Sequence, residues 1–275
     1  MAYYNTEEIR SRLGISTSAV RDKPLDRDLL EKIRRAGIQH LEIMENPMNP
    51  FREEDPETMQ EIVLVCKDLG LSIVSFHTQS INYALGGEAQ RREEVERSKR
   101  IIDHLISIGG KVWVTHIPID EDQSKKSYCE LAKYYEGQDI SFLIENCPRE
   151  RRLEDCVKWI DLIAHPQIAM VLDVGHERNA QNQYLMTVPG ETTRIIKAIG
   201  RRLYHLHLHE VICGRDHYAP LSEGGELQWT EIFSALKEID YRGIFMFEPV
   251  YDEQHSKDPI GQVGRVPELL LRAAG

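Results

Sequence analysis

Six side chains able to carry a proton or hold a metal stand at comparable places along this chain. They are His77, His116, Glu145, Asp173, His207 and Glu248, each at or near the end of a short run rich in Val, Ile, Leu or Phe. Glu42 lies in an earlier run of the same kind, and His176 follows Asp173 by three residues. Two glutamates, an aspartate and a histidine brought to one point would repel unless protons or a cation compensated them. A divalent ion bound through carboxylate oxygen and imidazole nitrogen does this, and the mixed donor set suits manganese, cobalt, magnesium or zinc. One such ion is the expected cofactor.

The runs that must position these groups number eight: Leu13–Ser18, Gln39–Met44, Leu71–His77, Lys111–His116, Ile140–Glu145, Ile168–Asp173, Leu203–His209 and Gly243–Glu248. Helix-like segments separate them and one follows the last, the habit of a parallel sheet wrapped by helices. Eight strand-helix units over roughly 250 residues are what a (β/α)8 TIM barrel requires. The rival, a doubly wound open sheet, would normally carry G-x-G-x-x-G or G-x-x-x-x-G-K-[ST] after its first strand, and neither occurs. No Pro/Gly/Ser-rich linker divides the chain, so residues 1–275 are expected to form a single domain.

Side chains two apart on a strand share a face. Stepping back by two from the strand ends gives Ser75, Val114, Leu143, Val171 and Met246, a set that could line one barrel interior. The titratable groups then crown the carboxyl face, where barrel enzymes build their sites. In the seventh run, "YHLHLHE" puts His205, His207 and His209 on one face. His205, one step deeper, reads as structural, and Glu42 as a partner for a neighbouring barrel residue. Asp26 is placed to cap the helix that Gly37 ends, while Glu93 with Arg97 and Glu96 with Arg100 suit the solvated face of a helix near Glu88–Ile108. Long loops are expected at Asn46–Pro56, Pro118–Lys126, Glu177–Pro189 and Val211–Gln228.

The 275 residues include 34 Lys+Arg against 45 Asp+Glu, a formal charge of −11, with 41% hydrophobic and 29% charged residues. This is ordinary globular composition, and its acidity offers little attraction to nucleic acid or anionic lipid. No apolar run approaches the roughly 18 to 20 residues that span a bilayer. The start, "MAYYNTEEIRSRL", lacks the basic and apolar regions of a signal peptide, and five scattered cysteines form no Cys-x-x-Cys pair, so a reducing cytoplasm is expected.

In chain order, "FHT" at Phe76–Thr78, "THIP" at Thr115–Pro118, "LIEN" at Leu143–Asn146, "LDVGH" at Leu172–His176, "HLHE" at His207–Glu210 and "FEP" at Phe247–Pro249 resemble the xylose isomerase-like TIM-barrel superfamily. That group holds sugar (phosphate) isomerases and epimerases, inosose dehydratases and endonuclease IV. The resemblance implies that Glu145, Asp173, His207 and Glu248 hold the metal, as in the ketose epimerase branch, and that His176 and Arg215 contact substrate. His77 and His116 are further substrate-side candidates. The endonuclease pattern would add a third ion through Asp-x-His after the seventh strand. Here the segment reads Asp216-His217-Tyr218, with tyrosine in the histidine's place unless a shifted loop lets His217 substitute.

The expected activity is isomerisation or epimerisation of a ketose, inosose or related sugar or polyol through a cis-enediolate, with Glu145 and Glu248 as acid and base. A dehydratase using the same intermediate is the near alternative, and a phosphodiester hydrolase the distant one. A non-catalytic sugar-binding barrel would not need two opposed carboxylates. Arg149, Arg151 and Arg152 read as a solvated helix start, with a phosphate or carboxylate contact as the alternative, and the Asn46–Pro56 loop as either an ordinary surface loop or a lid or subunit contact in a homo-oligomer.

Overall fold

The computed structural model describes residues 4–274 except 45–47, 49–51, 80, 84–85, 117–120 and 148–152; for 121 and 271–274 the backbone alone is described. Arg149, Arg151 and Arg152, and residues 46–47 and 49–51 of the Asn46–Pro56 loop, therefore lie outside the described residues.

The expected runs form the staves of a barrel. They are β1 (Leu13–Ser16), β2 (His40–Met44), β3 (Ser72–Thr78), β4 (Val112–Thr115), β5 (Ser141–Glu145), β6 (Ile168–Asp173) and β7 (Leu203–His207), then a hairpin of β8 (Glu210–Ile212) and β9 (Arg215–Tyr218), and β10 (Phe245–Phe247). Strands β1 to β7 pair in parallel in chain order and β10 pairs with β1. The remaining seam, between β7 and β10, is drawn together at Leu208, whose N–H donates to Met246 O at 2.8 Å and whose carbonyl accepts from Glu248 N at 2.8 Å. A (β/α)8 barrel results, with helices between successive strands.

Two apolar regions follow from strand alternation. Outward side chains such as Trp113, Phe142 and Leu172 join the helices in a continuous shell. Inward, Val112, Val114, Leu143 and Val171 form a separate small cluster that plugs the barrel. Ser75 and Met246, the other residues expected inside, are buried too. The titratable layer lies immediately beyond this plug, two residues further along each strand.

Helix ends obey local chemistry. Asp26 accepts from Leu29 N–H at 3.0 Å, and Gly37 takes a left-handed φ of 86° past the end of that helix. On the helix Gly87–Ser107, Arg97 reaches off the helix to Glu54 at 2.6 Å, and Glu96 takes Lys99 at 2.6 Å. Charges meant for one helix face thus also tie it to a loop. The hairpin is the element that loop reasoning left out. Its two-residue turn, Cys213-Gly214, has φ of 50° and 72°, both left-handed as a primed hairpin turn requires.

Glu231 on the helix Trp229–Glu238 caps the neighbouring helix Glu191–Ile199, accepting from Gly190 N at 3.0 Å and from Thr193 N and Oγ1 at 2.8 Å. Burial would raise its carboxyl, but these donors hold it below 4.5. A depressed folded value means that the cap's contribution is present above 4.5 and lost on acidification. Glu231→Ala is expected to cost about 1 kcal/mol in urea unfolding at neutral pH. The gap to wild type should narrow as pH falls through the folded value; a gap that widens would contradict the assignment.

Candidate metal and active site

The carboxyl ends of the strands converge as their inward phase demands. Asp173 and His207 are register partners across β6 and β7, and Met44 and His77 across β2 and β3. His207 stands at the centre. Its Nδ1 lies 3.1 Å from Glu145 Oε2 and 3.0 Å from Glu248 Oε2, while its Nε2 lies 3.1 Å from Glu42 Oε1. His77 and His116 each bring Nε2 to 3.3 Å from Glu145 Oε2. His176 Nδ1 is 3.1 Å from Glu145 Oε1 and 3.7 Å from Asp173 Oδ1. Glu42, His77, Glu145, Asp173, His207 and Glu248 are all buried.

The electrostatics follow from this mutual enclosure. Burial would push the Glu145 carboxyl up, but His207, His116 and His77 around it hold it well below the usual carboxylate range. Asp173 and Glu248 are likewise raised by burial and held down more strongly by neighbouring imidazoles. The reverse holds for the bases. Burial would lower His176, yet Asp173 and Glu145 raise it to about 10, and Glu248, Glu42 and Glu145 hold His207 well above its ordinary value. Ionised Glu145, Asp173 and Glu248 thus face cationic His176 and His207 at neutral pH.

The donor set also fits a metal. Glu145, Asp173 and His207 offer ligand atoms within 4.8 Å of one another, as do Glu42, His77, His207 and Glu248, the two sets sharing His207. Glu42 Oε1, His77 Nδ1, Glu145 Oε2 and both ring nitrogens of His207 are buried with no hydrogen-bond partner. Buried polar atoms are rarely left so, and an ion is one standard reason. A cation at this point would satisfy them together and release the imidazoles from carrying the charge.

Behind this layer are the groups that orient it. His209 Nε2 approaches both Asp173 oxygens at 3.0 and 3.1 Å, and His209 Nδ1 accepts from His217 N–H at 3.0 Å. Gly175 makes that approach feasible, since a Cβ there would stand 2.3 Å from His209 Cε1. The glycine of "LDVGH" is therefore a matter of space. Glu42 also takes Ser75 Oγ at 2.8 Å and His205 Nε2 at 3.2 Å, so His205 does pack as a deep structural partner.

Of the residues singled out from sequence, Glu145, Asp173, His207, Glu248, His176, His77 and His116 come together. All but Asp173 and His207 line one cavity of about 530 Å3 above the cluster. Arg215 does not join that lining; it is exposed on β9 and lines an adjoining cavity, whereas Arg178 lines both. A larger cavity, about 690 Å3, opens at the opposite end of the barrel around Ser72, Lys111 and Leu203, and none of the clustered carboxylates reaches it. Sequence reasoning missed Glu42 as a member of the cluster, because its phase was read as simple pairing. His217, which the sequence offered only through a shifted loop, takes a left-handed φ of 63° and joins Asp173 and His176 as a further candidate ligand group.

Residues 30–271 match the family described as xylose isomerase-like TIM barrel. The chain belongs to this family. Among curated proteins, this family member is 24% identical to a D-psicose 3-epimerase of Enterocloster bolteae over 86% of the chain and 71% of the relative. Among solved structures it resembles a 3-keto-D-glucoside 4-epimerase from E. coli (TM-score 0.69, 17% identity, 95% of this chain and 99% of that one). It also resembles a xylose isomerase-like TIM barrel protein from Mycobacterium smegmatis in complex with magnesium (TM-score 0.68, 16% identity, 98% and 97%). No helix among the described residues is long and apolar enough to cross a membrane.

A cation that fills the orphaned cluster should stabilise the fold by mass action, about 2.7 kcal/mol at a free concentration 100 times Kd. Manganese or magnesium added to chelator-stripped protein is expected to raise Tm, and Asp173→Asn to remove most of that rise. An unmoved Tm with manganese, cobalt, magnesium and zinc alike would rule out a cation site.

Proposed function

We propose that this chain is a divalent-metal-dependent sugar epimerase or isomerase, acting on a ketose, inosose or related polyol carbonyl compound through a cis-enediolate. The observation that carries the reading is the convergence of Glu145 and Glu248, from nonadjacent strands, on the same His207 nitrogen at 3.1 and 3.0 Å. Similarity to two sugar epimerases supports it.

Glu145, Asp173, His207 and Glu248 would hold the ion, with Glu42 and His77 as further donors close by. When bound, the ion polarises a substrate carbonyl and makes the adjacent C–H more acidic. The carboxylates do the proton work. Both are held in the ionised, proton-accepting form at neutral pH, so one takes the proton beside the carbonyl and later loses it to solvent, while the other takes a proton from solvent and delivers it to the carbon. His176, at the cavity wall beside Asp173 and Glu145, donates a hydrogen bond to a substrate oxygen on which negative charge grows. His77 and His116 complete the polar wall of the cavity. Arg215 serves the outer part of the substrate.

A second reading has one specific observation in its favour. His77–His116–Glu145, Glu145–Asp173–His207 and Asp173–His176–His217 form three candidate ligand groups in a row, which suits a three-metal phosphodiester hydrolase. Metal content separates the two readings: three tightly held ions per chain would favour hydrolysis.

Glu145→Gln and Glu248→Gln are each expected to lower turnover on the responsive sugar by about 10² to 10⁴, with metal content and sugar affinity measured alongside. Wild-type protein should carry solvent deuterium into at least one member of a ketose panel. Undiminished turnover in either variant would remove that glutamate from the mechanism, and absence of exchange across the panel would remove the reaction.

A further inference from the structure

The central cavity does not end at the cluster. Past Arg178, Asp216 and His217, which belong to both linings, it adjoins a second cavity of about 360 Å3 between the β8–β9 hairpin and the segment after β10. That second space also holds Arg215, Tyr251 and Asp252. Nothing in the proton chemistry proposed above uses it.

Its charges are of both signs. Arg178 Nη2 lies 3.4 Å from Asp216 Oδ2, and Arg215 and Asp252 line the same cavity. Ionised carboxylates only accept hydrogen bonds, and guanidinium groups only donate them. A ligand seated among both must therefore donate and accept from neighbouring atoms. Vicinal hydroxyls do so. A phosphate or carboxylate can only accept, and it would face Asp216 and Asp252 as like charges. Tyr184, Tyr218 and Tyr251 make up much of the remaining wall, and Tyr251, 41% exposed, offers ring surface of the kind that the C–H side of a sugar covers.

We propose that this second cavity is a subsite for a neutral sugar unit joined to the reacting one, so that the substrate is a disaccharide or glycoside rather than a single free sugar. The inference rests on the epimerase reading for the identity of the reacting unit; the subsite itself rests on Arg178, Arg215, Asp216, Asp252 and Tyr251. The reacting unit occupies the central cavity, and its substituent passes Arg178 and lies against Tyr251, with hydroxyls bridging the arginine and aspartate side chains.

Calorimetric titration with isomaltulose, turanose and lactulose, each compared with fructose in the presence of manganese, reads the second unit directly. At least one disaccharide is expected to bind about tenfold or more tightly than fructose, and Tyr251→Ala to remove most of that ratio. Equal affinities, absence of binding by all four sugars, or a ratio unchanged in Tyr251→Ala would overturn the subsite. Tighter binding of fructose 6-phosphate than of any disaccharide would also overturn it, making the cavity an anion site. Deuterium exchange on the same sugars tests the other reading separately. Exchange with equal affinities removes only the subsite, whereas a Tyr251-dependent ratio without exchange on any sugar removes only the epimerase.

Discussion

Burying several carboxylates at one barrel mouth is the constraint on which the rest of this structure depends. Glu42, Glu145, Asp173 and Glu248 are nearly inaccessible to water, and an ionised carboxylate taken out of water without a partner is among the costliest things a fold can contain. The chain meets that cost by placing an imidazole against every acid. His207 alone touches three of them, and the raised basicity of His207 and His176 is the electrical counterpart of the depressed acidity of their partners. The compensation is geometrically incomplete, because several of these atoms meet at short range without a well-formed hydrogen bond. A divalent cation would complete it with one group.

The fold makes this concentration of charge affordable by separating it from the elements that supply stability. The aliphatic plug of Val112, Val114, Leu143 and Val171 closes the barrel beneath the charged layer, and the far larger apolar shell lies outside the sheet. Strand alternation does the sorting. One residue inward carries chemistry, the next outward packs against a helix. Orientation then passes to a further set of contacts, His209 on Asp173 and Ser75 with His205 on Glu42, which fix carboxylates that would otherwise rotate.

Much of this was legible along the chain because it is local or periodic. The eight apolar runs, the polar residue ending most of them and the inward set two positions earlier follow from the period of a strand, a property of neighbours in sequence. The β8–β9 hairpin was less legible: its turn, Cys213-Gly214, relies on a left-handed cysteine, and its strands are only three and four residues long. The ion pairs of the helix Gly87–Ser107 were legible in kind but not in partner, since Glu54 competes for Arg97 from outside the helix.

By itself the sequence determined the barrel, the face that carries chemistry and seven of the residues gathered there, since each depends on strand phase and on the order of units around the sheet. Only the tertiary structure decided that Glu42 joins the cluster as well as pairing with Ser75 and His205, that His217 rather than Tyr218 meets Asp173 and His176, and that Arg178 stands between two cavities while Arg215 lines the outer one alone. Those outcomes depend on distances between elements far apart in the chain and on loop backbone angles. Neither is encoded by the periodicity that makes a strand recognisable, and both are settled by how the closed barrel brings its rim together.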